Sequence, residues 1–286
     1  MTGGKGAGEP AHGSKTRVPT SMDEREYILV KRNIRELLEI DLDGYKSRQM
    51  QRRLKTQLAR SGFRTWQRYF SYLKEDPEAL QAFKNYLTIN VSEFFRDPHK
   101  WEHLASKVLP PMLQNGARLR IWSAGCSHGA EPYTLAMLLD ELGSSPNHHR
   151  ILATDIDRAM LDRAREGGPY AANDVRYVAK RRLARCFERK GDEYWVKPFL
   201  RSRVSYRQHN LLRDAFEKRF DLIVCRNVVI YFVEETKRML YRQFAESLRT
   251  GGVLFVGGTE IISSLSELPL ESISISFYGK KEQTPA

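Results

Sequence analysis

Arg120-Ile-Trp-Ser-Ala-Gly-Cys-Ser-His-Gly-Ala-Glu-Pro-Tyr133 begins as a β-rich run, breaks into a loop with glycine at 125 and 129, and restarts as a helix. Pro132 suits the first turn of that helix, where a missing N–H costs nothing. The helix continues as Thr134-Leu-Ala-Met-Leu-Leu-Asp-Glu-Leu142. Strand, glycine turn and helix in this order bring backbone close to a nucleotide-like ligand in doubly wound α/β domains. The loop is not a G-x-G-x-x-G, so its surroundings have to carry the interpretation.

Strand-like runs recur on both sides: Leu119–Ser123, Ile151–Thr154, Val204–Gln208, Asp221–Cys225, Gly252–Val256 and Ile273–Gly279. Helical patterns fall between most of them, near Pro132–Leu142, Arg158–Glu166 and Glu234–Leu248. This alternation predicts a Rossmann-like α/β fold, a doubly wound parallel sheet with helices on both faces. From about Tyr177 to Ser205 the rhythm breaks. Glu193-Tyr-Trp-Val-Lys-Pro-Phe-Leu200 and Arg203-Val-Ser-Tyr206 read as short antiparallel strands, predicting a small β insertion over about 177–205.

Before about Thr88 the pattern is helical only. Residues 1–21 are rich in Gly, Ser, Thr and Pro and are expected to be disordered. Ser21 or Asp23 is the expected cap of a helix running to about Glu39, with Tyr27, Ile28, Ile34, Leu37 and Leu38 on its inner face. A second helix spans about Tyr45 to Arg60. Met50, Leu54 and Leu58 make its apolar stripe, and Gly62 ends it. Two shorter helices follow, near Arg64–Lys74 and Pro77–Leu87. The chain therefore divides into a tail (1–21), an all-helical N-terminal domain (22–88) and an α/β domain (89–286).

The 47 Lys and Arg against 35 Asp and Glu among 286 residues leave a net charge of +12. The excess is concentrated: between Gly44 and Lys74 there are nine basic residues and no acidic one. An ordinary solvated face mixes signs, so this segment is expected to meet a negatively charged partner. No apolar run approaches the roughly 20 residues of a membrane span, and the N-terminus lacks an apolar signal core. Cys126, Cys186 and Cys225 include no C-x-x-C pair, which argues against a disulfide framework or a structural zinc. A reducing cytoplasm is the expected compartment. Cys126 and Cys225 read as small buried hydrophobes.

In open α/β sheets ligands sit beyond the carboxyl ends of the strands. Four such ends carry polar residues here: the glycine loop with Glu131, then Asp155, then Asn210-Leu211, then Arg226-Asn227. Each alone could merely cap a helix. Together they point to a nucleoside-type cofactor, with Asp155 placed to accept hydrogen bonds from both ribose hydroxyls. Asp155 lies 30 residues after Gly125, against roughly 20 in the dinucleotide fingerprint. A dinucleotide would also want close glycines against its pyrophosphate, whereas Glu131 would repel phosphate and welcome an ammonium. S-adenosylmethionine carries a ribose, an ammonium and a sulfonium and no phosphate, and suits these residues better than NAD. Asn90-Val-Ser-Glu-Phe-Phe-Arg-Asp-Pro98 and Tyr231 fit either plain packing or a place at the site.

These stretches, with Phe220-Asp-Leu-Ile-Val-Cys-Arg-Asn-Val-Val-Ile-Tyr-Phe232 and Gly251-Gly-Val-Leu-Phe-Val-Gly-Gly-Thr-Glu260, resemble the CheR-type chemoreceptor glutamate methyltransferases. They stand in the family's order, after a basic helical domain, and the resemblance covers about Met22 to Lys280. It implies an S-adenosylmethionine-dependent protein-glutamate O-methyltransferase, releasing S-adenosylhomocysteine and esterifying glutamates of chemotaxis receptors. Cofactor contacts are implied from Asn90, Ser92, Arg96, Glu131, Asp155, Asn210, Leu211, Arg226 and Asn227. Arg96 and Tyr231 are implied beside the transferring methyl group, and Arg52, Arg53 and Arg60 on the basic helix at the docked receptor. The β insertion resembles a subdomain that in some members binds a receptor's C-terminal tether. A monomer without nucleic-acid partner or membrane insertion is expected.

The chain departs from the family at Gly129-Ala-Glu-Pro-Tyr133, where Gly-Glu-Glu-Pro-Tyr is usual, and at Ser92, where threonine is common. His128 is unusual in its loop and reads as a solvated residue rather than a base. Two other readings compete: a nucleic-acid methyltransferase and a non-catalytic cofactor-sensing module. An Asp/Asn-Pro-Pro-Tyr-type loop is common in the first; Cys225-Arg-Asn-Val stands there instead. The intact Arg96, Glu131, Asp155 and Tyr231 argue against the second.

Overall fold

The computed structural model describes residues 22–282 apart from 89, 144, 146, 147 and 264. The expected disordered tail, and Ser21 as a cap, lie outside the described residues. Four helices make the N-terminal domain: α1 (Glu24–Leu38), α2 (Ser47–Ser61), α3 (Trp66–Glu75) and α4 (Pro77–Thr88). Asp23 stands at the N-cap of α1 but makes no side-chain cap bond. The buried face of α1 is Tyr27, Val30, Ile34 and Leu38, at spacings of three and four. Ile28, expected inside, is 52% exposed, because it lies about 100° around the helix from Tyr27. Met50 and Leu54 are buried as expected, and Gly62 ends α2 with φ 78°.

The second domain opens with the turns α5 (Pro98–His103) and α6 (Leu109–Met112), joined by a π-type turn. Strand β1 (Arg120–Ala124) then leads through the glycine loop into α7 (Ala130–Glu141), and β2 (Arg150–Asp155) into α8 (Arg158–Glu166). The interruption contains α9 (Lys180–Cys186), the hairpin β3 (Phe187–Lys190) and β4 (Glu193–Val196), and α10 (Pro198–Arg201). Next come β5 (Val204–Gln208), β6 (Phe220–Cys225), α11 (Glu234–Ser247), β7 (Leu248–Val256), β8 (Leu270–Ser274) and β9 (Phe277–Lys280).

The sheet order is β5-β2-β1-β6-β7-β9-β8. The first five strands run parallel and the last two pair antiparallel. The order reverses direction between β1 and β6, so a crevice opens there beyond the strands' carboxyl ends. Aromatic packing fixes both faces: Trp122 meets Phe216, Phe220 and Phe244 on one, and Trp101, Phe255 and Phe277 stack on the other.

Two local expectations are corrected. Arg203-Val-Ser-Tyr206 is not part of the small antiparallel sheet; β5 pairs parallel with β2 at the edge of the main one. The second strand of the hairpin's pair is Phe187–Lys190, which ends a helix and was not legible as a strand. The run Ile273–Gly279 is two strands rather than one, turning at Ser276 with φ 75°. A Ser-Ile-Ser-Ile-Ser alternation contains no glycine or asparagine to announce such a turn.

Candidate active site

Beyond the carboxyl ends of β1, β2, β5 and β6 lies a cleft that opens to solvent. All ten residues expected at the cofactor and methyl group line it: Asn90, Ser92, Arg96, Glu131, Asp155, Asn210, Leu211, Arg226, Asn227 and Tyr231. They come from five separate stretches of chain, four of them gathered by the parallel register of the strands. The basic residues expected to dock the receptor fall differently. Arg52 and Arg53 line an adjacent groove with Lys46, Gln49, Met50, Tyr45 and Tyr231. Arg60 is exposed in the last turn of α2 and does not line that groove.

The glycine loop is shaped by close approach. The amides of Gly125 and Cys126 both donate to the Thr154 carbonyl, at 2.8 and 2.9 Å. Gly125 has φ 81°, and a Cβ there would stand 2.5 Å from Val228 Cγ2, so the position excludes any side chain. Beyond it, the Ser127 amide donates to Asp155 Oδ2 at 2.8 Å, and the Asp157 amide donates to Oδ1 at 2.9 Å. Burial nevertheless pushes the Asp155 carboxyl up to about 6, against these two amides. Glu131, in the first turn of α7, accepts from Ser123 Oγ at 2.7 Å. Its burial pushes it up to about 7, with the Arg226 charge opposing.

Burial of both carboxyls favours partners that stabilise their ionised form, an ammonium at Glu131 and hydroxyl donors at Asp155. Ser127 Oγ is likewise buried without a protein partner. Leu211, Leu212, Ile156 and Val228 add apolar wall. Hydroxyl acceptors, a cation-seeking acid and an apolar slot fit an adenosyl ligand bearing an ammonium, and none of them fits a phosphate.

Arg96 lies between two non-glycine residues in the left-handed region, Phe95 (φ 54°) and Asp97 (φ 59°). Strain of this kind persists only where the surroundings impose it. Here Phe95 N donates to Thr134 Oγ1 at 3.2 Å, and the Arg96 carbonyl accepts from Trp101 Nε1 at 2.9 Å and Arg226 Nη2 at 2.8 Å. Arg226 Nη2 also meets Asp97 Oδ2 at 2.7 Å, and the guanidinium lies over Trp101 and Phe255. Much of Arg226 is thus spent holding the Arg96 loop. The loop after β6 has its own clamp: Glu260 Oε2 accepts from the amides of Asn227 at 2.9 Å and Gly257 at 2.5 Å.

Asn90 is anchored from below, its Nδ2 donating to Asp157 Oδ2 at 2.8 Å. Asp157 is fully buried and also accepts from Thr88 Oγ1 at 3.1 Å, while capping α8 through the Ala159 amide at 3.1 Å. His128 is corrected: it is buried, not solvated, at 4% exposure. Its Nε2 lies 3.0 Å from the Ser92 carbonyl, and burial pushes its pKa down, so the neutral ring donates there and steadies the Ser92 turn. Cys126, Cys186 and Cys225 are all buried free thiols, with burial pushing Cys126 and Cys225 up. Tyr45, Ser127, Asp157 and Glu260 went unassigned in the sequence. Only Asp157 carries a local signal, as the N-cap preceding a helical run.

A parallel sheet of this order, with the glycine loop, the buried Glu131 and the strand-end Asp155, defines an S-adenosylmethionine-dependent methyltransferase. Comparison with known proteins gives the particular kind. Residues 25–88 match "CheR methyltransferase, all-alpha domain" and residues 90–275 match "CheR methyltransferase, SAM binding domain". The chain belongs to the CheR methyltransferase family. It is 42% identical over 258 residues to a chemotaxis protein methyltransferase of Listeria monocytogenes, covering 90% of this chain and 98% of that one. It is 41% identical over 191 residues to chemotaxis protein methyltransferase 1 of Pseudomonas aeruginosa, covering 63% and 69%. Among solved structures, the glycopeptide N-methyltransferase MtfA with S-adenosylmethionine aligns with a TM-score of 0.36 at 18% identity, over 58% of this chain and 56% of that one. Among the described residues no helix is long and apolar enough to cross a membrane.

Proposed function

We propose that this enzyme methylates glutamate side chains of chemotaxis receptors, forming methyl esters. The observation that carries the reading is that the groove bearing Lys46, Arg52 and Arg53 lies beside the cofactor cleft and shares Tyr45 and Tyr231 with it. A basic approach to a methyl donor suits an acidic acceptor. The name carried by the relatives, chemotaxis protein methyltransferase, agrees with it.

Bound S-adenosylmethionine supplies an electrophilic methyl group on a sulfonium. Asp155 and Ser127 would hold the ribose, Glu131 the ammonium, and Leu211 with Leu212 and Ile156 the base. Asn90 and Ser92 close the near wall, and Asn210, Arg226 and Asn227 complete the rim. A glutamate carboxyl has an ordinary pKa of about 4.3 and is already ionised at neutral pH, so the chain needs no general base for it. What remains for the protein is alignment, with reacting atoms about 3–3.5 Å apart, and exclusion of water. Arg96, on its fixed loop, orients one carboxylate oxygen and leaves the other free to attack. Tyr231, in the cleft wall, would set its ring beside the sulfonium.

Arg52 is the exposed member of the docking pair. Arg53 is more engaged: Nη2 donates to the Tyr86 carbonyl and its guanidinium lies 4.6 Å over the Tyr86 ring. Arg60 extends the basic surface toward the far end of α2. A receptor tether at the β3–β4 hairpin belongs to the same reading. So does a cytoplasmic monomer, a reading that the three free thiols support as regards compartment. The test is transfer of methyl label from S-adenosylmethionine to receptor-containing membranes. Base-labile label on receptor glutamates is expected; label on nucleic acid, or none, would overturn the reading.

A further inference from the structure

The helical domain does more at the site than supply a basic surface. The segment Gly44–Lys46, which leads into α2, forms a short antiparallel ladder with Tyr231–Val233. Lys46 N donates to the Tyr231 carbonyl at 2.9 Å, and Val233 N donates to the Gly44 carbonyl at 2.9 Å. Tyr45 is paired with Phe232 in this bridge, and their rings meet edge to face with centroids 4.9 Å apart. The ladder therefore locks one residue of the helical domain beside the loop that carries Tyr231.

Tyr45 and Tyr231 share a second property. Both line the cofactor cleft, and both line the basic groove beside it. Any side chain passing from the groove to the methyl donor meets this pair. The groove side offers cations from Lys46, Arg52 and Arg53, and the cleft side carries Arg96 and Arg226 beside the buried acids Asp155 and Glu131. A carboxylate drawn in by the groove cations and bound for Arg96 passes between the two, where a neutral hydroxyl can steer it without holding it. Tyr45 can supply that hydroxyl. Burial, with Asp155 close by, pushes its phenol up to about 12, so it stays an uncharged hydroxyl that can donate to an acid.

We propose that Tyr45 forms, with Tyr231, the doorway through which the acceptor carboxylate enters, and that it is an acceptor-positioning residue contributed by the helical domain. This rests on the reading of the enzyme as a receptor glutamate methyltransferase. The ladder gives the doorway its definition: two backbone bonds and a ring contact hold its two sides at one separation.

The experiment compares the full-length protein with Tyr45→Ala and Tyr45→Phe, measuring S-adenosylhomocysteine affinity by calorimetry and methyl transfer to receptor-containing membranes. For Tyr45→Ala the expected result is a fall of at least tenfold in kcat/KM for receptor. Its affinity for S-adenosylhomocysteine and its KM for S-adenosylmethionine should stay within about threefold of wild type. Tyr45→Phe, which keeps the ring on Phe232 but lacks the hydroxyl donor, should recover little of the loss. Should the alanine protein not fold, Tyr45→Leu keeps apolar packing on Phe232 and is held to the same criteria. Receptor kcat/KM within threefold of wild type in the folded variant overturns the proposal. So does a loss of cofactor affinity as large as the loss of transfer, which would make Tyr45 part of the cofactor wall only. A wild-type protein that binds S-adenosylhomocysteine but labels no receptor removes the underlying reading of the enzyme instead, and the doorway with it.

Discussion

Arg226 and Arg96 are 130 residues apart in sequence, yet Arg226 Nη2 donates to the Arg96 carbonyl at 2.8 Å. One nitrogen of a side chain that is 2% exposed thus fixes the backbone on which the other arginine is mounted. The same nitrogen holds Asp97, and two aromatic rings cover the guanidinium. Arg226→Lys puts a point charge where a planar fork is stacked, and the exchange is not conservative there. Charge-assisted bonds of this type contribute about 1.5–3 kcal/mol each. The expected outcome for Arg226→Lys is a stability loss of about that size in denaturant titration, with turnover at least tenfold lower.

Arg96 itself makes one weak side-chain bond, Nη1 to the Val91 carbonyl at 3.3 Å. Its side chain therefore adds little to the fold. Arg96→Ala is expected to abolish methyl transfer while the urea midpoint stays near wild type. Near-normal methylation by this variant would remove Arg96 from the mechanism.

Cofactor binding should depend on pH. In the free protein Glu131 is pushed up to about 7 and Asp155 up to about 6, mainly by burial. An ammonium and a ribose diol favour the ionised carboxylates, so binding below about pH 7 must expel protons. S-adenosylhomocysteine is therefore expected to bind more tightly as pH rises from 6 to 8. Calorimetry in buffers of different ionisation enthalpy should detect proton release at pH 6 and little at pH 8. The free protein behaves in the opposite sense. Folded carboxyls with raised pKa bind more protons than the unfolded chain, so their contribution to stability falls as pH climbs from about 4.5 to 7. The thermal shift produced by the ligand should accordingly be larger at pH 8 than at pH 6.

Asp157 ties the two domains together under the cofactor. It accepts from Thr88 at the end of α4 and from Asn90 in the connecting segment, and its own amide is held by Asp155. In Asp157→Asn one acceptor oxygen becomes a donor facing donors, at nearly constant volume. About a tenfold weaker S-adenosylhomocysteine affinity is expected, with faster amide exchange at the end of α4. Unchanged affinity in a stably folded Asp157→Asn protein would limit the residue to capping α8.

Docking through the basic helix predicts that transfer is sensitive to salt. Exposed Arg52 acts through solvent, where the screening length is about 8 Å at 0.15 M salt. Receptor methylation should slow as ionic strength rises, and Arg52→Glu should slow it further at low salt. Charge reversal at Arg53 should also lower stability, because that side chain holds the Tyr86 carbonyl. Chemical denaturation of the two variants separates these effects. A rate indifferent to both salt and Arg52→Glu would discard electrostatic docking.

The local sequence was enough to place Glu131, Asp155, Asn210 and Arg226. Each follows a run that can only be a strand, and parallel strands bring their ends to one edge whatever the rest of the chain does. The helical domain was legible for the same reason, since its apolar residues recur at a helical period. Period alone could not assign Ile28, because neighbouring apolar residues compete for one buried face and packing partners choose between them. Nor could it divide Ile273–Gly279 into a hairpin. His128 carries no mark of burial, and only the Ser92 turn and the Tyr170 ring packed beside it decide its environment.

Along-chain chemistry, then, determined the class of ligand this protein grips, because strand ends and their acids are neighbours through the backbone. The wall shared with Tyr45, the Arg226 brace on Arg96 and the Asp157 tie were decided only in three dimensions. Each joins residues from distant segments, and such contacts depend on how helices and sheet pack rather than on any repeat a single segment can display.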